Sequence, residues 1–306
     1  MKNFRKEILG LIVIVFLSVS ATCQEKTSSS ADSNSKVEKK DKKRKKKKKY
    51  KLPEIDLSHW SVTTPELNHK GSAMNIEPPE ILDYATDERL LPYMYNDSTL
   101  GALVFYSFPS DATTANTKYT RSELREQMVP GDNNTNWTFA DGAYMKGKLQ
   151  MGDVSKSSDG KYHKVIIMQI HGRLTNEQRD LIGQKDNNAP PILKIYWQDG
   201  KIRVKTKELK NLSASDNEIL GKDAWDDDKG FTFEQEVGFS KFTLEVEVSD
   251  GKMVVILNKN EYAVYDSIHM KRWGVFENYF KAGNYFQSRD EGAFAKVNYY
   301  ELEVKH

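Results

Sequence analysis

From Leu52 to the C-terminus the chain is written in short segments with apolar residues at alternate positions, cut by turn residues. That period of two is the pattern of strands with one face in a core, and it admits few alternatives. "ILKIYW" and "KIRVKT" flank Gln198-Asp199-Gly200, and "FTLEVEV" and "KMVVILN" flank Ser249-Asp250-Gly251; both read as hairpins. The pattern predicts only one short helix, around "TNEQRDLIGQ" at 175–184. Many short strands with no helix-strand alternation predict an all-β fold, an antiparallel β-sandwich of the jelly-roll, concanavalin-like kind. Cys23 is the only cysteine, so no intramolecular disulfide supports this fold and its core must do so.

The first fifty residues follow other rules. Residues 1–23, "MKNFRKEILGLIVIVFLSVSATC", open with Lys2, Arg5 and Lys6, continue with an apolar run from Ile8 to Val19, and end in small residues. They read as a bacterial export signal, placing the mature protein outside the cytoplasm, whether secreted, periplasmic or anchored at the outer membrane. Cys23, directly after the apolar run, is a candidate lipid-attachment residue; simple cleavage between Ala21 and Gln24 is the alternative. Residues 24–51 are serine-rich, then lysine-rich, and hold almost nothing to bury, which predicts a disordered tether. Within it, residues 36–51 carry twelve Lys or Arg against Glu38 and Asp41, a local +10. The whole chain has a formal net charge of only +2, and residues 52–306 carry −9. A basic tail can signal nucleic acid, but export argues against that partner and for a solvated spacer.

Three segments break the rule of one apolar and one merely solvated face. In "RSELREQ", Arg121, Glu123, Arg125 and Gln127 share a face; such a row could also satisfy itself by ion pairing on an exposed sheet. In "KVIIMQIHGR", Gln169 and His171 flank the inward Ile170. In "YFKAGNYFQ", Tyr279, Lys281, Gly283, Tyr285 and Gln287 alternate with Phe280, Ala282, Asn284 and Phe286. Together these arginines, amides, histidine, lysine and tyrosines suit an acidic, hydroxyl-rich ligand, which suggests a polyuronate.

In this order, "RSELREQ", "QIH" and "YFKAGNYFQ" resemble the sequence blocks of the polysaccharide lyase family seven alginate lyases. "IDLSHWSVTTP" at 55–65 and "FYSFPSDATTANTKYTRSELRE" are similar to that family as well, so the resemblance runs from about Ile55 to the C-terminus. It departs at Thr64-Pro65, where the family often has Leu-Pro, and over Asn211 to Gly230, which reads as a loop peculiar to this chain. The resemblance implies cleavage of alginate by β-elimination, leaving unsaturated ends. That chemistry must neutralise the carboxylate beside C5 before a base can take the C5 proton. Arg121, Gln169 and His171 are the expected neutralising residues, and Tyr285 the general acid or base, its pKa lowered by nearby Arg or Lys. For one C5 epimer His171 would be the base, for the other Tyr285 would serve both roles; the isoleucine of "QIH" resembles members that accept guluronate. Glu123 is expected to orient Arg121 and Arg125, Lys281 to bind a neighbouring carboxylate, Gln287 a hydroxyl, and Gly283 to leave room for a sugar ring, with Tyr279 also at the substrate.

No metal or cofactor is expected. The histidines lack ligand spacing, and Asp226, Asp227 and Asp228 read as a solvated loop rather than a calcium site. The partner expected is alginate, and the chain is expected to act as a monomer. Two rivals carry the same residues differently. A surface protein could capture alginate without cleaving it, or a β-sandwich glycoside hydrolase could use a carboxylate pair. For the hydrolase, Glu54 and Asp56 of "PEIDLSH" lack a closing carboxylate because His59 stands there, and Glu245 and Glu247 look like a solvated outer face.

Overall fold

The computed structural model describes residues 52–114 and 117–306, so the segments expected to be an export signal, with Cys23, and a lysine-rich tether lie outside the described residues. Two large antiparallel sheets face each other. The front sheet runs, edge to edge, Phe231–Glu236, Lys201–Lys205, Asn188–Gln198, Val165–Arg173, Glu277–Phe286, Arg121–Glu126, Trp60–Leu67 and Ala73–Ile76, with Trp137–Thr138 also pairing to Glu277–Phe286. The back sheet runs Glu261–Tyr265, Lys252–Leu257, Phe242–Ser249, Ala143–Val154, Ala295–Lys305, Ala102–Ser107 and Met94–Asp97. This is the expected sandwich. Both hairpins form, and the first turns through Asp199 (φ 49°) and Gly200 (φ 87°), the paired positive φ values that a two-residue turn between twisted strands requires.

The alternation in each strand decides what enters the core. Phe280, Ala282 and Phe286 are fully buried between the sheets with Leu124, Ile170 and, from the back sheet, Phe105 and Tyr299. Polar groups stitch this interior. Asn284 donates through Nδ2 to the carbonyls of Phe105 (3.2 Å) and Ala295 (2.7 Å). The Tyr299 hydroxyl donates to Ile167 O (2.5 Å) and accepts from Gly283 N (3.1 Å). Glu126, also turned inward, accepts from Trp137 Nε1, Phe280 N and His306 Nε2 at 2.7–3.0 Å. Each of these satisfies a group that would otherwise be costly to bury.

The predicted helix is Asn176–Leu181, started by a capping box in which Thr175 and Gln178 exchange hydrogen bonds. The stretch from Asn211 to Gly230 is not a simple loop. It folds into a helical turn (Asp216–Ile219), a 3-10 turn (Lys222–Ala224) and a strand (Trp225–Asp227) paired to Lys207–Leu209. Ile219, Leu220 and Trp225 are buried, and Trp225 packs edge-on against Trp273 with centroids 4.9 Å apart. The acidic run lies at the end of a strand rather than in a loop, and Asp226 and Asp227 are exposed as expected. Asp226 pairs with Lys210 (3.3 Å), Asp227 with Lys207 (2.7 Å) and Lys194 (2.9 Å), and Asp228 accepts from Thr206 N (2.9 Å).

Candidate active site

Two of the cavities among the described residues differ in sign. One, of about 580 Å3, is lined by Glu54, Asp56, Glu126, Glu301 and Glu303 with His59 and His306. The other, of about 860 Å3, lies on the outer face of the front sheet and is lined by Lys118, Arg121, Arg125, Lys194, Lys222 and Lys281, with no Asp or Glu among its described lining residues. Its walls draw on strands from Ala73–Ile76 to Asn188–Gln198, so it crosses five strand spacings of about 4.8 Å, roughly 24 Å. An elongated anion can lie in such a cleft, across the strands.

Register brings the three unusual segments together there. Tyr285 pairs with Arg121, Lys281 with Arg125 on one side and Gln169 on the other, and Tyr279 with His171. Arg121, Arg125, Gln169, His171, Tyr279, Lys281, Tyr285 and Gln287 all line the cleft. Gln127 does not; it lies beyond the end of its strand and holds Glu77, Asn133 and Gly131 N.

Beneath the floor sits one carboxylate. Glu123 is 1% exposed and receives Arg121 Nη1 (2.9 Å), Gln169 Nε2 (2.5 Å) and the Lys281 ammonium. Burial alone would raise its pKa, but the Lys281 and Arg121 charges outweigh that and hold it below the usual range. Two buried cations thus share one buried anion. Among the described residues Arg121 Nη2 has no hydrogen-bond partner. Glu123 does not reach Arg125, contrary to expectation. Arg125 instead donates to Glu126 O (2.6 Å), Asn133 O (3.0 Å) and Asn136 Oδ1 (3.2 Å), and its guanidinium lies 4.1 Å over the Tyr279 ring.

His171 stacks on Tyr279, centroids 5.3 Å apart, and its Nδ1 lies 3.0 Å from Gly172 O. A carbonyl only accepts, so Nδ1 carries the proton and Nε2 keeps a lone pair. Burial, then the Lys281 and Arg121 charges, push this imidazole down to about 3. Lys281 is pushed down to about 8 by burial and by Arg121. Tyr285 carries Arg121 3.8 Å over its ring, yet its pKa moves up rather than down, because burial outweighs the guanidinium charge. The expected activation of the phenol by nearby cations is therefore reversed, and Tyr285 is protonated at neutral pH.

Gly283 has a different reason from the one expected. A Cβ there would come within 2.7 Å of Ser122 O and 2.9 Å of Glu123 Cα, at φ +136°. The glycine lets two strands approach beneath the site; it does not make room for a sugar. Lys194, Tyr196, Lys118, Tyr119 and Lys222 also line the cleft and were missed in the sequence. For Lys194 and Tyr196 a signal existed, since in "ILKIYW" they alternate with the buried Leu193, Ile195 and Trp197.

A family model described as alginate lyase matches residues 55–306. The alginate lyase of Klebsiella pneumoniae is 24% identical over 283 residues, 83% of this chain and 90% of that protein. Among solved structures, alginate lyase A1-II′, a member of polysaccharide lyase family 7, is 30% identical with a TM-score of 0.63, covering 82% of this chain and 96% of its own. A double variant of A1-II′, solved in complex with the substrate GGMG, is 28% identical with a TM-score of 0.64, covering 82% and 94%. The chain belongs to the alginate lyases of polysaccharide lyase family 7.

Proposed function

We propose that this protein cleaves alginate by β-elimination in the cationic cleft, with Arg121, Gln169, His171 and Tyr285 as its working residues. The observation that carries the reading is the cleft's charge: six Lys or Arg and no described carboxylate, on a domain whose net charge is −9. Its floor holds one more buried cation than anion, so a uronate carboxylate supplies the missing charge.

In this reading Arg121, the second N–H of the Gln169 amide and Lys281 draw charge onto the substrate carboxylate, which acidifies the C5 proton. The lone pair of His171 Nε2 takes that proton. The C5–H electrons form the C4–C5 double bond, the C4–O bond breaks, and the Tyr285 hydroxyl gives its proton to the leaving oxygen. Burial holds His171 down most, and a bound carboxylate offsets the smaller contribution of the Lys281 and Arg121 charges, which strengthens the base in the complex. Because His171 is neutral and Tyr285 protonated, the free enzyme is poised for the division in which histidine is base and tyrosine acid. Glu123, covered by the residues it holds, positions them.

Two-carboxylate hydrolysis finds no carboxylate pair among the described residues that line this cleft. The test is incubation with alginate and with neutral glucans: ultraviolet-absorbing unsaturated ends are expected from alginate alone. Saturated hydrolytic products would overturn the reading, and binding without any products would leave a capture protein. We also read residues 1–23 as an export signal with Cys23 as the attachment residue, supported by the order of basic, apolar and small residues in the sequence.

A further inference from the structure

At the end of the cleft beyond His171, the chain spends one carboxylate on three lysines. Asp227 lies 2.7 Å from Lys207 Nζ, 2.9 Å from Lys194 Nζ and 3.9 Å from Lys205 Nζ. The surplus of positive charge is local, since the neighbouring Asp226 is taken by Lys210 and Asp228 by Thr206. Two of these elements touch the cleft: Lys194 and, from the 3-10 turn of the docked excursion, the exposed Lys222. No ion pair engages Lys222 among the described residues.

Register fixes where this lies relative to the chemistry. Lys281 pairs with Gln169, and Gln169 with Lys194, so Lys194 stands two strand spacings, about 10 Å, from Lys281 along the direction in which the cleft runs. Tyr196, two residues on, shares its face and lines the same wall. The excursion Asn211–Gly230 brings both Asp227 and Lys222 to this end, and its buried Ile219, Leu220 and Trp225 anchor it against the body of the domain.

We infer that Lys194 and Lys222, with Asp227 as an internal carboxylate that gathers and orients the lysines, form a second carboxylate-binding subsite, which grips a uronate further along the polymer from the scissile bond. The inference rests on the lyase reading above and extends it to substrate length. Asp227 is the stand-in that an incoming carboxylate competes with or joins, which gives the two kinds of variant opposite signs.

The experiment compares Lys194→Ala, Lys222→Ala and Asp227→Asn with the wild type on alginate oligomers of increasing length and on polymer, reading kcat and KM separately. For the lysine variants the loss in kcat/KM is expected to grow with length, to roughly tenfold more on polymer than on the shortest oligomer cleaved, and to fall on KM. Asp227→Asn is expected to lower KM on polymer at low salt. A loss of equal size at every length, no loss at any length, or a loss of the same sign in Asp227→Asn as in Lys194→Ala would overturn the inference and leave the cluster a structural ion pair. Lys222 is exposed, so Lys222→Ala tests the subsite even if Lys194→Ala fails to fold. Wild type that yields no unsaturated ends would instead sink the lyase reading itself.

Discussion

Tyr285 is bound into the site by its ring and would act through its hydroxyl, and the two can be separated. In Tyr285→Phe the ring that carries the Arg121 guanidinium remains, as does the burial of Phe286, so folding should be nearly unchanged. Loss of a positioned proton donor typically costs about a hundredfold to ten-thousandfold, against about 0.5–1.5 kcal/mol, closer to tenfold, for one binding hydrogen bond. Turnover should fall by the larger factor while KM changes little; a folded variant keeping more than about a tenth of wild-type kcat would reduce Tyr285 to a wall residue. The site's pH dependence follows from its two displaced cations. In the free enzyme His171 stays neutral down to about 3, so kcat/KM should show no acid limb near the ordinary histidine value of 6.5. Its folded pKa is below its unfolded one, so between 6.5 and about 3 the unfolded chain binds the extra proton and acidification favours unfolding. Thermal unfolding should therefore move to lower temperature across that window, and less so in His171→Gln. On the other side Lys281 loses its charge as pH rises through about 8, which should raise KM for alginate above that pH with Tyr285 still protonated. A KM flat to pH 10 would remove Lys281 from substrate binding.

The strand Glu277–Phe286 is the element on which core and site meet. Its outward residues were legible from period two alone, and so was the identity of the core side, because Phe280 and Phe286 leave no other choice of face. What the period cannot give is the register. The strand pairs with Arg121–Glu126 and Val165–Arg173, which are more than a hundred residues earlier, and slips by a bulge between Ala282 and Tyr285. Only that register decides that Glu123 sits beneath Arg121, Lys281 and Gln169 and out of reach of Arg125. The same lack of register hid the purpose of Gly283, whose constraint comes from a neighbouring strand. Gly283→Ala sets a Cβ against the backbone at Ser122 and Glu123, which is locked in the sheet, at a φ that side chains rarely adopt. Strain and overpacking together should cost about 2 kcal/mol or more. The melting temperature should drop by several degrees, with a loss of turnover as Glu123 and its three donors shift. An unchanged melting temperature would show that the strand pair can open at no cost.

At the scale of the molecule, charge is divided against function: the cleft is cationic, the domain around it carries −9, and residues 36–51 carry +10. Composition exposed the last two and hid the first, because the six cleft cations are spread from Lys118 to Lys281 and only folding collects them. At 0.1 M salt a polyanion feels the bare domain only within about 10 Å of its surface, where the anionic faces repel it and the cleft attracts it. The lysines of residues 36–51 carry the opposite sign and would offset that repulsion. We propose that the tether works on encounter and not on chemistry, since residues 24–51 hold almost no apolar side chain that could join a core. A protein beginning at Leu52 should then keep its kcat and KM on short oligomers, where orientation in the cleft dominates. On long polymer at low salt its kcat/KM should fall, on the order of tenfold, because electrostatic steering acts on the association rate. Raising the salt should erase the difference, because it screens both the attraction to the lysines of the full-length protein and the repulsion from the shorter one. A loss on short oligomers that persists at high salt would mean instead that the tether's lysines enter the cleft, and would make them part of the binding site.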